Sequence, residues 1–461
     1  MNQGTRNDIL HSWKEISAYL GSEIRTCQRW AKESGLPVFK FGTGKGQVHA
    51  KREEIDRWIA EKSGRNTNGN TRLSVPSENS INERIKIRTG TRRYILPAFG
   101  AFGLAIVAFA VFGLKVWNFG QESDVPCDFH ITGSKVIIVN EMNRPLGEYE
   151  TGREDLFDEA TYRNYFQTKK NFGSGQEAYL PKILIKDIRG DSRPEILIAL
   201  ATKNENYDGT LICLDSKAKE LWRYEVGRAV THGLRKYPRD FSIRGFGVED
   251  LNQDGRAEIM VISNVLHFNP TQVAILSPEG RLEAEYWNAG QIADYEFCDY
   301  DGDGRTEIFL AGLNNEYHKG VLIVLDPSAI RGGSPQLSFS YQSPGLEPGS
   351  EEFYILFPYS EIDLKLAAMA SINNIVRLQD GLYLYSHPTV IVFALNFKME
   401  LTFASASTVF EVKYNQLLAE GKVHAPFARE RIEAALMRGI LYWNGKEWVD
   451  HIARADGKPV L

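Results

Sequence analysis

Residues 299–312 read Asp-Tyr-Asp-Gly-Asp-Gly-Arg-Thr-Glu-Ile-Phe-Leu-Ala-Gly. An acidic, glycine-turned loop runs directly into an apolar strand. The carboxylates fall at positions 1, 3, 5 and 9, which converge on one point when a loop curls tightly around a hard cation. Two further copies lie upstream, Asp250–Glu258 (DLNQDGRAE) and Asp187–Glu195 (DIRGDSRPE), each followed by an apolar run. The third copy therefore offers Asp299, Asp301, Asp303 and Glu307 as metal ligands, and the second offers Asp250, Asn252, Asp254 and Glu258. The first copy carries Arg189 at position 3 and Ser192 where the others have glycine, which argues against a metal there. An EF-hand is excluded, because its ligand set extends to position 12 between flanking helices.

A second repeat is a hairpin of strand, polar turn and strand. Copies begin at Val136, Leu211 and Val273, with weaker relatives at Val321, Val390 and Ile440. Strand-rich units recurring at this length suggest the blades of a propeller, six or seven of them. The loop-plus-strand pattern resembles the FG-GAP/VCBS repeats of integrin-alpha N-terminal domains. That resemblance implies an all-β propeller with Ca2+ held structurally in the blade loops. It is carried by residues 180–330, the flanks resting on the hairpins alone. The stretch Arg429–Met437 reads as a helix appended to the propeller. Cys213 sits in a strand and Cys298 beside an apolar run, and both are expected as buried thiols.

Between this part and the N-terminus runs Tyr94–Leu114 (YILPAFGAFGLAIVAFAVFGL), 21 residues without a charge. At 1.5 Å per residue such a helix spans a bilayer core of ~30 Å. Lys115, Trp117 and Tyr94 stand where interfacial anchors belong, so residues 94–117 are expected to form one transmembrane helix. Arg84, Lys86, Arg88, Arg92 and Arg93 precede it, while Glu122, Asp124 and Asp128 follow. The positive-inside rule then puts the N-terminus in the cytoplasm and residues 118–461 outside the cell membrane.

Charge divides the chain in the same place. Residues 1–93 carry 18 Lys+Arg against 10 Asp+Glu, and residues 94–461 carry 36 against 49. A basic module that meets a polyanion is thus tied to an acidic one. Within residues 1–65, Ser12 and Glu15 form a capping box, and Trp13, Ile16, Tyr19 and Leu20 follow helical spacing. Gly21 stops that helix. A second helix places Ile24, Cys27 and Trp30 on one face and Arg25, Thr26, Gln28, Arg29 and Lys32 on the other, the residue types that read base edges and phosphates. Lys40–Ala50, with Gly42, Gly44 and Gly46, reads as a hairpin whose Lys45 reaches phosphate.

These residues (WKEISAYLG, SEIRTCQRW, the hairpin, REEIDRWI) resemble a winged helix-turn-helix of the MerR/excisionase type, a small α+β fold. The resemblance implies double-stranded DNA as partner. It makes Arg25, Thr26, Gln28, Arg29 and Lys32 the groove and phosphate contacts, and Lys45 the wing contact. Residues 66–93 read as a flexible basic linker.

The whole chain is accordingly expected to be a membrane-anchored one-component transcriptional regulator whose external propeller binds a ligand or protein. Paired half-sites would call for a homodimer. The alternative is an anchored adhesion or scaffold protein whose head docks protein. No nucleophile-elbow, metalloprotease or phosphate-loop pattern is present, and His232, His267, His318, His387 and His424 are scattered singly, so an enzyme is not expected.

Overall fold

The structure is a computed structural model that describes residues 9–10, 13, 16, 27, 31–32, 36–41, 47–51, 55, 124–170, 176–203, 209–265 and 270–459. The chain divides into two compact units, Met1–Phe99 and Gly100–Leu461.

In the N-terminal unit, β1 (Ile9–Leu10), β2 (Phe39–Phe41) and β3 (Gln47–Lys51) form a three-stranded antiparallel sheet in the order β1-β3-β2. The hairpin expected over Lys40–Ala50 is present, with Phe39 opposite His49 and Phe41 opposite Gln47. Residues 13, 16, 27, 31, 32 and 55 are helical. Ile16, Cys27, Leu36, Ala50 and Ile55 make one buried core with Trp13, Ala31 and Val38 against it.

The C-terminal unit is mostly β. Five antiparallel meanders follow one another among the described residues. The first sheet is β4 (Asp128–Thr132), β5 (Lys135–Val139) and β6 (Pro145–Glu150). The second is β7 (Ile183–Lys186), β8 (Glu195–Ala199), β9 (Thr210–Leu214) and β10 (Glu220–Glu225). A small hairpin, β11 (Val230–His232) and β12 (Arg235–Tyr237), precedes the third. That third sheet is β13 (Ser242–Glu249), β14 (Glu258–Asn264), β15 (Thr271–Leu276) and β16 (Leu282–Asn288). The fourth is β17 (Ile292–Cys298), β18 (Glu307–Asn314), β19 (Lys319–Leu325) and β20 (Glu351–Leu356). The fifth is β21 (Ser371–Leu378), β22 (Gly381–His387), β23 (Ile391–Leu395) and β24 (Leu401–Ala406).

The apolar runs that follow the acidic loops explain this stacking. Every residue of β8, β14 and β18 is buried. A strand covered on both faces reads as a continuous hydrophobic run, and here the cover is the neighbouring sheet. Tyr295 on β17 donates its hydroxyl to the Phe246 carbonyl on β13 (3.0 Å), and Trp222 on β10 donates Nε1–H to the Pro278 carbonyl of the third sheet (2.9 Å). The buried Asp294 of β17 accepts from the Ile375 amide of β21 (2.7 Å).

The first strands also meet a common segment. Lys169, in the connection between the first two sheets, lies 3.2 Å from Asp294 and 2.8 Å from Glu296 on β17. Glu177 pairs with Arg244 on β13, and the Ala178 amide donates to Asn373 on β21. One connection thus touches the first strands of three sheets, and the unit is propeller-like.

Among the described residues five successive sheets stand where six or seven blades were expected. Five of the six hairpins supply strands to five successive sheets. The sixth, at Ile440, is β25 (Leu441–Trp443) and β26 (Trp448–Val449), and it extends the fourth sheet by pairing with β20. Two helices intervene, α1 (Thr408–Ala419) and α2 (Arg429–Arg438). The helix expected near Arg429 is α2. Glu433 on α2 accepts from the Ala406 amide at 3.0 Å, so it satisfies a backbone donor of the edge strand β24. Cys213 and Cys298 are buried thiols, and Cys127 is an exposed one.

Among the described residues no helix is long and apolar enough to cross a membrane. The expected transmembrane stretch 94–117 and the linker 66–93 lie outside the described residues.

Candidate metal centre

The three acidic loops occupy equivalent places, each joining the first strand of its sheet to the second. They share one hydrogen-bond scheme, because position 1 and position 9 each have a backbone task. In the third loop, Asp299 accepts from the Gly302 (2.8 Å) and Gly304 (3.0 Å) amides. Gly302 and Gly304 have φ of +77° and +89°, where glycine carries no Cβ penalty. Glu307, 3% exposed, accepts from the Tyr300 amide at 3.3 Å. The second loop repeats this with Asp250 on Gly255 (2.9 Å) and Glu258 on Leu251 (2.9 Å). The first repeats it with Asp187 on Ser192 (2.7 Å) and Glu195 on Ile188 (3.1 Å).

The loops differ at position 3, and that residue decides what fills the centre. In the first loop the Arg189 guanidinium stands 3.5 Å from Glu195, a built-in cation. In the second, Asn252 gives its amide N–H groups to Glu258 (3.0 Å) and Asp254 (3.4 Å). In the third, Asp301 adds a carboxylate where the others have donors. One oxygen each of Asp299, Asp301 and Glu307 lies within 4.8 Å of the others, the one such group of three among the described residues. Asp303 does not join them, for its carboxylate pairs with Arg305 at 2.7 Å. Asp250, Asn252, Asp254 and Glu258 are likewise tied by mutual hydrogen bonds and assemble no three-carboxylate centre.

Burial pushes the Glu307 carboxyl up to about 7, helped by the like charges of Asp301, Glu352 and Asp303 and opposed by the Tyr300 amide. Burial raises Glu258 and Glu195 as well. A buried carboxylate facing two exposed ones is a hard, all-oxygen donor set, which suits Ca2+ better than a soft metal.

The loops also touch in series. Gly190 of the first sits against the Gly255 carbonyl of the second. Gln253 of the second donates its side-chain amide to the Gly304 carbonyl of the third. Sequence reasoning missed Gln253, since nothing in the spacing marks position 4.

Of the expected DNA contacts, Lys32 is helical and exposed. Arg25, Thr26, Gln28, Arg29 and Lys45 lie outside the described residues.

No protein-family model and no curated protein matches the chain. Among solved structures it is similar to one titled "Structure of Dos1 propeller", with 9% identity and a TM-score of 0.28. That likeness covers 58% of this chain and 62% of the other.

Proposed function

We propose that the chain is a membrane-anchored one-component transcriptional regulator. Residues 1–65 read double-stranded DNA in the cytoplasm, and residues 94–117 anchor the chain in the bilayer. The propeller-like part, an FG-GAP-type propeller in this reading, binds an external ligand or partner. Ca2+ held by Asp299, Asp301 and Glu307 is structural, and it neutralises three carboxylates where β17 passes to β18. None of these residues has a catalytic role in this reading.

The observation that carries the proposal is the make-up of the head. Helical residues Ile16, Cys27 and Ile55 share one small core with Ala50 of the hairpin. This shared core supports the reading of helices and hairpin as one small α+β fold. Arg25, Thr26, Gln28 and Arg29 flank the buried, helical Cys27 in sequence. The excess of 18 basic over 10 acidic residues up to position 93 supports a polyanionic partner. A single head makes few phosphate contacts, so paired heads on paired half-sites are part of the reading.

The test is selection from a pooled duplex library by the full chain in detergent, at two salt concentrations, beside Arg25→Ala/Arg29→Ala. Sequence-selective enrichment that the double variant loses is expected. Unselective binding that the variant shares and salt abolishes overturns the DNA reading and favours a protein-docking head.

A further inference from the structure

A cavity of about 1320 Å3 opens on the face of the second and third sheets away from the acidic loops. The acidic loops join first to second strands. The cavity lies at the other ends of those strands: the starts of β7 and β13, the ends of β8, β10 and β14, and the β11–β12 hairpin. Six cations line it, Lys182, Lys203, Arg235, Lys236, Arg239 and Arg244, against the carboxylates of Glu177, Glu225 and Asp240. That excess stands out in a stretch, residues 94–461, with 36 basic and 49 acidic residues.

Three observations say what the cavity is built to take. First, cationic groups are held where water is scarce. Lys182 is 7% exposed, and burial, with the like charge of Arg244 added, pushes its ammonium down to about 8. The Nε–H of Arg244 is buried without a hydrogen-bond partner, although its Nη2 pairs with Glu177. A buried donor of this kind is relieved by an anionic acceptor. Second, aromatic rings stand beside the cations. Lys182 lies 5.0 Å over the Phe166 ring, Arg235 lies 5.8 Å over Tyr237, and Tyr179 completes the wall. Third, the lining mixes carboxylates with the cations. Glu177, Glu225 and Asp240 repel a uniformly acidic chain but accept hydrogen bonds from hydroxyl groups. A ligand with acids, many hydroxyls and ring faces satisfies all three. The volume exceeds the roughly 300–1,000 Å3 of a site for one small molecule, so more than one ring fits.

We propose that this cavity binds an acidic oligosaccharide, its carboxylates on Lys182, Arg239 and Arg244, its rings against Tyr179 and Tyr237, and its hydroxyls on Glu177 and Asp240. This rests on the reading of the propeller-like part as a ligand-binding module and gives that ligand a chemistry.

The experiment is calorimetric titration of the full chain with a short oligogalacturonate, a neutral malto-oligosaccharide of matched length and an oligoglutamate peptide. Lys182→Met keeps the buried stem and removes the charge. Arg239→Gln changes an exposed side chain, so it leaves folding intact even where Lys182→Met fails to fold. Oligogalacturonate is expected to bind, at least about tenfold more tightly than the neutral sugar and the peptide, and each variant is expected to weaken it about tenfold. Equal binding of the neutral sugar, equal binding of the peptide, no binding of oligogalacturonate, or indifference to both variants overturns the proposal. DNA selection by the same preparation separates the two readings. Selective DNA binding without sugar binding removes only this site, and sugar binding without DNA selectivity removes only the regulator.

Discussion

Position 3 of the acidic loops shows how one side chain changes what a conserved backbone scheme can hold. The same first-position and ninth-position hydrogen bonds recur in all three loops, while the centre holds a guanidinium at Arg189, amide protons at Asn252 and a carboxylate at Asp301. Calcium is expected to raise the unfolding temperature of the wild type, by an amount corresponding to about 2.7 kcal/mol at a hundredfold excess over Kd. Glu307→Gln should abolish that rise, and a calcium-independent unfolding temperature in the wild type refutes the metal reading. Asn252→Asp puts a carboxylate at position 3 of the second loop, completing there the position 1, 3 and 9 set of the third loop. It should cost roughly 1 kcal/mol without metal, through like-charge repulsion, and add one bound calcium in equilibrium dialysis.

Asp294 makes the stability of the fold depend on pH. Burial raises its carboxyl from the ordinary 3.8 to about 6, although Lys169 and two backbone amides pull the other way. Because the folded state holds this proton more tightly than the unfolded chain, its contribution to stability is full below about 3.8. It is lost as pH rises through about 6. Asp294→Asn is expected to flatten that part of the stability profile, read by urea unfolding across the window. It should also destabilise the fold, since the two carboxylate oxygens accept from the Tyr295 and Ile375 amides and the new amide nitrogen must face one of these donors.

At the scale of elements, the contact between loops is a steric matter that substitution can isolate. A Cβ at Gly190 would collide with the Gly255 carbonyl, and Gly190 sits at φ +71°. Gly255 has a similar φ of +86° but nothing within 4 Å of a built Cβ. Gly255→Ala should therefore cost only the left-handed backbone penalty, about 1 kcal/mol. Gly190→Ala should cost roughly 2–3 kcal/mol, because the first and second loops must also part. Equal losses in chemical denaturation would show that the loops do not bear on one another. The strands themselves were readable in advance. ILIAL, IMVI and IFLAG are too uniformly apolar for a half-exposed strand, and all three are buried throughout. What alternation left open was the partner on each face.

For the whole molecule, the count of sheets turned on one nonlocal choice. The hairpin at Ile440 has the same pattern as the others, yet Leu441 and Tyr442 pair with Leu356 and Ile355 at the open edge of the fourth sheet. Backbone pairing is indifferent to which edge it meets. The helices α1 and α2, packed on the fifth sheet, share a core with β25 and the fourth and fifth sheets, so the returning chain is delivered to β20. The cavity with Lys182 and Arg244 was hidden from sequence for a similar reason: its cations are scattered from Lys182 to Arg244 with no common spacing.

Whatever depends on neighbours along the chain is legible in the sequence. The turns of the acidic loops, the hairpins, the buried strand runs and the helix at Arg429 follow from local hydrogen bonds, glycine backbone freedom and side-chain period. The division between a basic and an acidic part is arithmetic on the same string. Which loop gathers three carboxylates, which edge the last hairpin joins and where buried cations meet across two sheets emerge only in the folded molecule. Those outcomes depend on contacts between residues distant along the chain, whose energies compete on nearly equal terms until packing brings one set together.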